Sequence, residues 1–252
     1  MNEYLIGFIL GLIQGLTEFL PVSSSGHLVL AEKAGIGEVS VLNNLTLHFA
    51  TLVAVVIFYR KKILELLKKP KSKEMKFILI ASLPTAVMAG VIRFLLPDTT
   101  EYLPFFFITT SFILILPYII KRKDDLMERK LVLTSVIVGI AQGIACFNGI
   151  SRSGTTTSVM RIMGINEEKC ASNSFLLSIP IILGSCLVEI LSSDGNFHID
   201  GGTFIGMITA FIFGLISIKV FVTLLKKNRF YVFAVYTFFM GIVAFVYLYV
   251  VR

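Results

Sequence analysis

Charge is the scarcest commodity in this sequence: only 15% of its 252 residues are Asp, Glu, Lys or Arg, while 56% are apolar. With a mean hydropathy of +0.85, that deficit excludes an ordinary soluble domain, in which about a quarter of residues are charged. Paired cysteines are also missing. Cys146, Cys170 and Cys186 form no C-x-x-C motif and lie in or beside apolar segments, where cysteine behaves as a small hydrophobe, so no function is read from them. The net charge of +7 comes with no nucleic-acid motif and sits in clusters between apolar runs, so nucleic acid is not an expected partner. Residues Met1 to Tyr4 lack the basic stretch that opens a signal peptide, and no cleavage is expected there.

What is present in quantity is uninterrupted apolar sequence. Six runs are candidates to cross a bilayer: Leu42 to Tyr59, Phe77 to Leu96, Pro104 to Ile120, Ala171 to Leu191, Thr203 to Leu225 and Phe230 to Val251. Two shorter stretches, Leu5 to Leu20 and Leu131 to Phe147, run into polar, glycine-containing loops followed by a second short apolar piece. They read as re-entrant helix–loop–helix hairpins. The expected fold is therefore an all-α integral membrane protein, about six transmembrane helices plus two re-entrant hairpins, in one domain.

Basic residues test that count, because Lys and Arg favour the cytoplasmic side. Arg60 to Lys76 and Lys121 to Lys130 are rich in them, as are Lys226, Lys227 and Arg229; Pro97 to Leu103 has only Asp98 and Glu101, and Ser192 to Gly202 has acids and His198 but no base. The alternation closes if each long run crosses and each hairpin returns to its own side. It puts the N-terminus outside.

An internal repeat runs through the chain at an offset of 128 residues: Gly11 to Gly26 aligns without a gap on Gly139 to Gly154, with Gly, Gln, Gly, Phe, Ser, Ser and Gly kept. The copies span about 5–120 and 131–251. An odd number of crossings separates them, so they are expected to be inverted, with their hairpin tips meeting near the midplane.

Irregular backbone at membrane depth persists only where it lines something polar, and Ser23, Ser24, Ser25 and Gly26 face Ser151, Arg152, Ser153, Gly154, Thr155 and Thr156 as the two tip sequences. Helices restarting at about His27 and Thr155 would aim N–H groups at an anion, hydroxyls would add donors, and Arg152 would supply a forked cation: a phosphate site. Gln14 and Glu18 share a helix face. A lone carboxylate at this depth costs about 2.5–3.5 kcal/mol, so Glu18 should pair with Arg152 or, with Gln14, hold a divalent cation such as Mg²⁺ or Ca²⁺ beside the phosphate. Ser24, His27 and a metal-bound water all stand as nucleophiles, with His27 also an acid–base group. His48 reads equally as a core residue or as a supporting group. Arg93, Lys219 and Glu189 read as snorkelling span-end residues, and Arg161 as a weaker phosphate or surface residue.

These motifs resemble the undecaprenyl-diphosphate phosphatase family, also called bacitracin-resistance proteins. The resemblance rests on Gln14-Gly-Leu-Thr-Glu18 running into Ser24-Ser-Gly-His27, on Asn148-Gly-Ile-Ser151-Arg152-Ser153-Gly-Thr-Thr156, and on the stretches Leu47 to Thr51 and Phe175 to Pro180. It covers essentially the whole chain. It implies hydrolysis of a polyprenyl diphosphate to the monophosphate and inorganic phosphate in the cell membrane, recycling a lipid carrier for envelope glycans, with Glu18, Ser24, His27 and Arg152 at the catalytic positions. The expected partners are that lipid, membrane lipids and a possible second copy of the chain. Two departures stand out: Asn148 replaces a usual proline, and Gln14 makes Glu18 the only carboxylate of its pair. A flippase or transporter built on the same anion site is the competing reading, and a structural scaffold the third.

Overall fold

A computed structural model describes residues 2–37, 40–120, 124–192 and 199–251. His198 and Lys121 to Lys123, used above to orient the chain, lie outside them. Among the described residues every regular element is helical: α1 (Glu3–Phe19), α2 (Ser24–Lys33), α3 (Val41–Phe58), α4 (Arg60–Lys68), α5 (Lys73–Leu95), α6 (Leu103–Ile119), α7 (Leu126–Arg129), α8 (Leu131–Ile144), α9 (Arg152–Ile162), α10 (Glu167–Ser192), α11 (Gly201–Lys226) and α12 (Tyr231–Val246). Five of these segments are long and apolar enough to cross a membrane, and α3 with α4 makes a sixth if that pair, bent by 73°, is one span. The expected runs correspond to α3, α5, α6, α10, α11 and α12.

One segment departs from expectation. Arg60 to Lys68, read as part of a charged connection, is helical. Its charges mask an apolar face on which Leu66 is buried, and the bend at Tyr59 turns that face back onto the bundle.

The exterior is apolar and the interior partly polar, the reverse of a water-soluble protein. Leu79, Leu83, Phe94, Phe112, Ile119, Leu133, Phe204 and Phe239 are exposed, whereas Gln14, Thr51, Thr85, Thr110, Gln142 and Thr156 are fully buried. A surface so continuously apolar is stable only against lipid.

The helices recur at the same offset as the sequence repeat. α1, α2, α3, α5 and α6 of the first half correspond in order to α8, α9, α10, α11 and α12 of the second. Packing is exchanged between the halves: α1 lies chiefly against α11, and α8 against α5. Small residues make this close approach possible. A Cβ built on Gly7 or Gly11 would overlap the Gly202 or Gly206 carbonyl, and one on Gly139 the Ala81 carbonyl. Without a hydrophobic driving force between helices in lipid, such backbone proximity is what dispersion contacts require.

Gly11→Val should therefore force α1 from α11 and lower stability by about 3 kcal/mol, the upper end for overpacked cores. Gly90→Ala, whose Cβ would meet open space, should not lower it. Thermal unfolding of the two variants in detergent reads the difference.

Candidate active site

The first hairpin turns at Pro21, Val22 and Ser23. Ser23 adopts a left-handed backbone, φ 69°, uncommon for a residue with a side chain and a mark of a tightly held turn. From there α2 starts at Ser24, three residues earlier than the sequence suggested, because the Ser23 side chain caps it by accepting from the Gly26 N–H. The second hairpin repeats the device: Ser151 caps α9, which starts at Arg152 and not at Thr155, by accepting from the Gly154 N–H.

The two tips are bonded to each other. The Gly149 N–H donates to Ser23 Oγ at 3.0 Å, and the Ser153 hydroxyl to the Leu20 carbonyl at 3.2 Å. Thr110 on α6 locks the second tip, donating to the Gly149 carbonyl at 2.9 Å and accepting from the Ser151 N–H at 3.1 Å. Where the hairpins cross, Gly26 packs so tightly that an added Cβ would lie 2.6 Å from the Phe107 ring and 3.1 Å from Gly149 Cα.

These ties bring Glu18 and Arg152 together. Arg152 Nη2 donates to Glu18 Oε1. The other carboxylate oxygen, Oε2, accepts from the Ser24 hydroxyl at 2.6 Å and from Gln14 Nε2 at 3.1 Å, and His48 Nε2 stands 3.8 Å from it. Buried charge persists in low dielectric only with such partners. Three polar atoms here have none: Arg152 Nη1, Gln14 Oε1 and Thr155 Oγ1 are buried without a hydrogen-bond partner. An unused buried guanidinium nitrogen is a donor held ready for an anion.

Glu18, Ser23, Ser24, Ser25, Ser151 and Arg152 line a cavity of about 660 Å³, walled on its far side by α5 and α10 through Ala86, Ala89, Ile92, Phe94, Ile181 and Val188. Its lining also carries Asn44, His48, Arg93 and Glu189, so polar groups are set among the apolar side chains. Gly26, Ser153, Gly154, Thr155 and Thr156 do not line the cavity, nor does Gln14, which bonds to Glu18. Gly154 packs against Leu114 and Pro21, and Thr156 is turned toward α10, its Oγ 2.7 Å from Ser174 Oγ. These residues build the tips instead of facing the space between them.

His27 is outside the cavity lining as well. Its Nδ1 is 2.7 Å from the Ser23 carbonyl and its Nε2 is 2.8 Å from the Tyr236 hydroxyl on α12, with the two rings stacked. Tyr236 was invisible to sequence reasoning, since no spacing connects it to the motif. Glu189 departs from its expected snorkelling: it is buried, accepts from Asn44 Nδ2 at 2.9 Å, and lines the same cavity, as does Arg93. Arg161 is buried away from the site, donating to Asn228 Oδ1 at 2.7 Å with its guanidinium 4.9 Å from the Tyr118 ring centre.

The cross-hairpin bond to Ser23 has a measurable consequence. Ser23→Ala leaves the buried Gly149 N–H unsatisfied and should cost about 1–3 kcal/mol of stability, seen as a lower unfolding temperature than that of Ser25→Ala, whose hydroxyl makes only a 3.5 Å contact with Ser23 Oγ.

Comparison with known proteins places this geometry. The family described as "Bacitracin resistance protein BacA" matches residues 7–243. Similar curated proteins include the undecaprenyl-diphosphatase of Borrelia recurrentis, 37% identical over 256 residues covering 94% of this chain and 96% of that protein. That of Carboxydothermus hydrogenoformans is 38% identical over 251 residues, 96% of each. That of Treponema denticola is 38% identical over 246 residues, 90% of this chain and 91% of that protein. The hairpin motifs, the tip-to-tip site and the match along nearly the full length agree: the chain belongs to the bacitracin resistance protein BacA family.

Proposed function

We propose that this protein hydrolyses undecaprenyl diphosphate to the monophosphate and inorganic phosphate, returning the lipid carrier to envelope glycan synthesis and conferring bacitracin resistance. The observation that carries the reading is one carboxylate, Glu18, holding both a serine hydroxyl and a guanidinium whose second nitrogen is unpartnered, inside a cavity. The names of the curated relatives support it.

In this mechanism the terminal phosphoryl group sits between the hairpin tips. Arg152 Nη1 and the first N–H groups of α2 and α9 hold its oxygens, where both helix dipoles favour negative charge. Ser24 Oγ attacks phosphorus as its proton passes to Glu18 Oε2, 2.6 Å away. The bond from phosphorus to the bridging oxygen breaks, and polyprenyl monophosphate leaves with that electron pair. Water then cleaves the phosphoserine. The apolar wall of α5 and α10 suits the isoprenoid chain, which never has to cross water. His27, with both ring nitrogens engaged, braces the turn that presents Ser24.

The donor set fits a divalent cation only together with substrate. Among the described residues no three His, Cys, Asp or Glu side chains are grouped to hold a metal, so a divalent cation would be held by the Glu18 carboxylate, with Gln14 beside it, only when phosphate oxygens supply the other ligands, as is usual for Mg²⁺. Bound there, Mg²⁺ or Ca²⁺ would neutralise phosphate charge. A carrier without hydrolysis has no use for the Ser24–Glu18 contact, and the relatives are named as hydrolases.

The recurring helix order, together with the alternation of basic and base-free connections along the sequence, supports two copies of opposite orientation with the N-terminus outside. A cysteine introduced at Asn2 should react with an impermeant thiol reagent added to intact cells; protection there, with labelling only after lysis, would reverse the orientation.

Purified protein in detergent with Mg²⁺ or Ca²⁺ should release phosphate from undecaprenyl and farnesyl diphosphates. Ser24→Ala and Arg152→Ala should each lose on the order of 10²–10⁴-fold in kcat, a chelator should suppress turnover, and His27→Gln should retain more activity than either variant. No phosphate from wild type overturns the reading.

A further inference from the structure

The cavity contains a second imidazole that the reaction above leaves without a role. His48 belongs to α3, outside both hairpins, and lines the cavity. Its Nδ1 lies 2.9 Å from the Asn44 carbonyl, one turn earlier in the same helix. A carbonyl can only accept, so Nδ1 carries the proton and Nε2 of the neutral ring presents its lone pair. That nitrogen stands 3.8 Å from Glu18 Oε2, the oxygen that accepts from Ser24. The separation is too long for a direct hydrogen bond, so Nε2 is unspent. The contrast with His27 is complete, since neither nitrogen of that ring is free.

The chemistry needs such a base. In this mechanism Glu18 holds the Ser24 proton until it returns to Ser24 Oγ as the phosphoserine is cleaved. It cannot also accept a proton from the attacking water. We propose that His48 Nε2 is the base for the second half of the reaction. As the water oxygen bonds to phosphorus, its proton passes to Nε2. The bond between phosphorus and Ser24 Oγ breaks, its electron pair stays on Oγ, and Oγ takes back the proton held by Glu18. Phosphate leaves and His48 returns its proton to water in the cavity.

The charged and titratable groups lining the cavity with His48 are Glu18 from α1, Arg93 from α5, Cys146 from the turn after α8, Arg152 from α9 and Glu189 from α10. Glu18 is committed to Ser24 and Arg152. Glu189 is held by Asn44 Nδ2, one turn along α3 from His48, so the polar face of α3 is fixed toward the cavity by a contact that does not consume the imidazole. The arginines are cations and cannot accept the proton.

The inference rests on the hydrolase reading, and one experiment separates the two. Wild type and His48→Gln are mixed in detergent with farnesyl diphosphate, and farnesyl monophosphate, inorganic phosphate and the phosphorylation of Ser24 are followed together. The expected result is that His48→Gln releases one equivalent of monophosphate promptly, accumulates phosphate on Ser24, and turns over about 10²-fold more slowly. His48→Ala should regain turnover with added imidazole, and its unfolding temperature should match that of His48→Gln. Wild-type turnover in His48→Gln, or slow turnover without phosphate on Ser24 and without imidazole rescue, overturns the proposal while leaving the hydrolase intact. Wild type that releases no phosphate fails the hydrolase reading itself.

Discussion

A single carboxylate holds this structure's polar centre together. Glu18 is nearly inaccessible to solvent and bonds across the molecule to Arg152 while accepting from Ser24 and Gln14. In a medium that strongly penalises an isolated charge, the pair is what lets both hairpin tips sit side by side inside an apolar bundle. The remaining tip contacts, Gly149 to Ser23 and Ser153 to Leu20, then fix where the Arg152 guanidinium stands relative to a serine whose hydroxyl donates to the same carboxylate.

The repeat explains why there is one such centre and not two. At the offset of 128 residues, Glu18 corresponds to Cys146 and Ser24 to Arg152. All four line the same cavity. Each hairpin therefore contributes what the other lacks: the first brings a carboxylate and a serine hydroxyl bonded to each other, the second brings the guanidinium, and the residue matching Glu18 in the second copy is a thiol. The side chains are thus asymmetric although the helices of the two halves recur in the same order.

Much of this was written plainly in the sequence. The six long runs needed only hydropathy, and the hairpins showed through the repeat and through charge alternation. The pairing of Glu18 with Arg152 followed from the cost of leaving either alone. What stayed hidden was direction. The spacing of Asn44 and His48 shows that they share a face, but only packing of α3 against α10 turns that face toward the cavity and buries Glu189 against Asn44. His27 follows the serine loop in sequence, but its second ring nitrogen meets the Tyr236 hydroxyl, from the far end of the chain, a partner no local spacing announces. Local charge misled at Arg60 to Lys68, where a basic stretch conceals an amphipathic helix. Serines were read as ligands throughout, whereas Ser23, Ser151 and Ser153 chiefly cap helices and tie tips.

The ion pair can be measured without reference to activity. A double-mutant cycle of Glu18→Gln, Arg152→Gln and the combined variant, followed by thermal unfolding in detergent, reports their coupling. If the pair joins the two hairpins as described, each single change leaves a buried charge without its partner, and the double variant is more stable than the sum of the singles by on the order of 1–3 kcal/mol. Additive effects, with no coupling between the two positions, would contradict it.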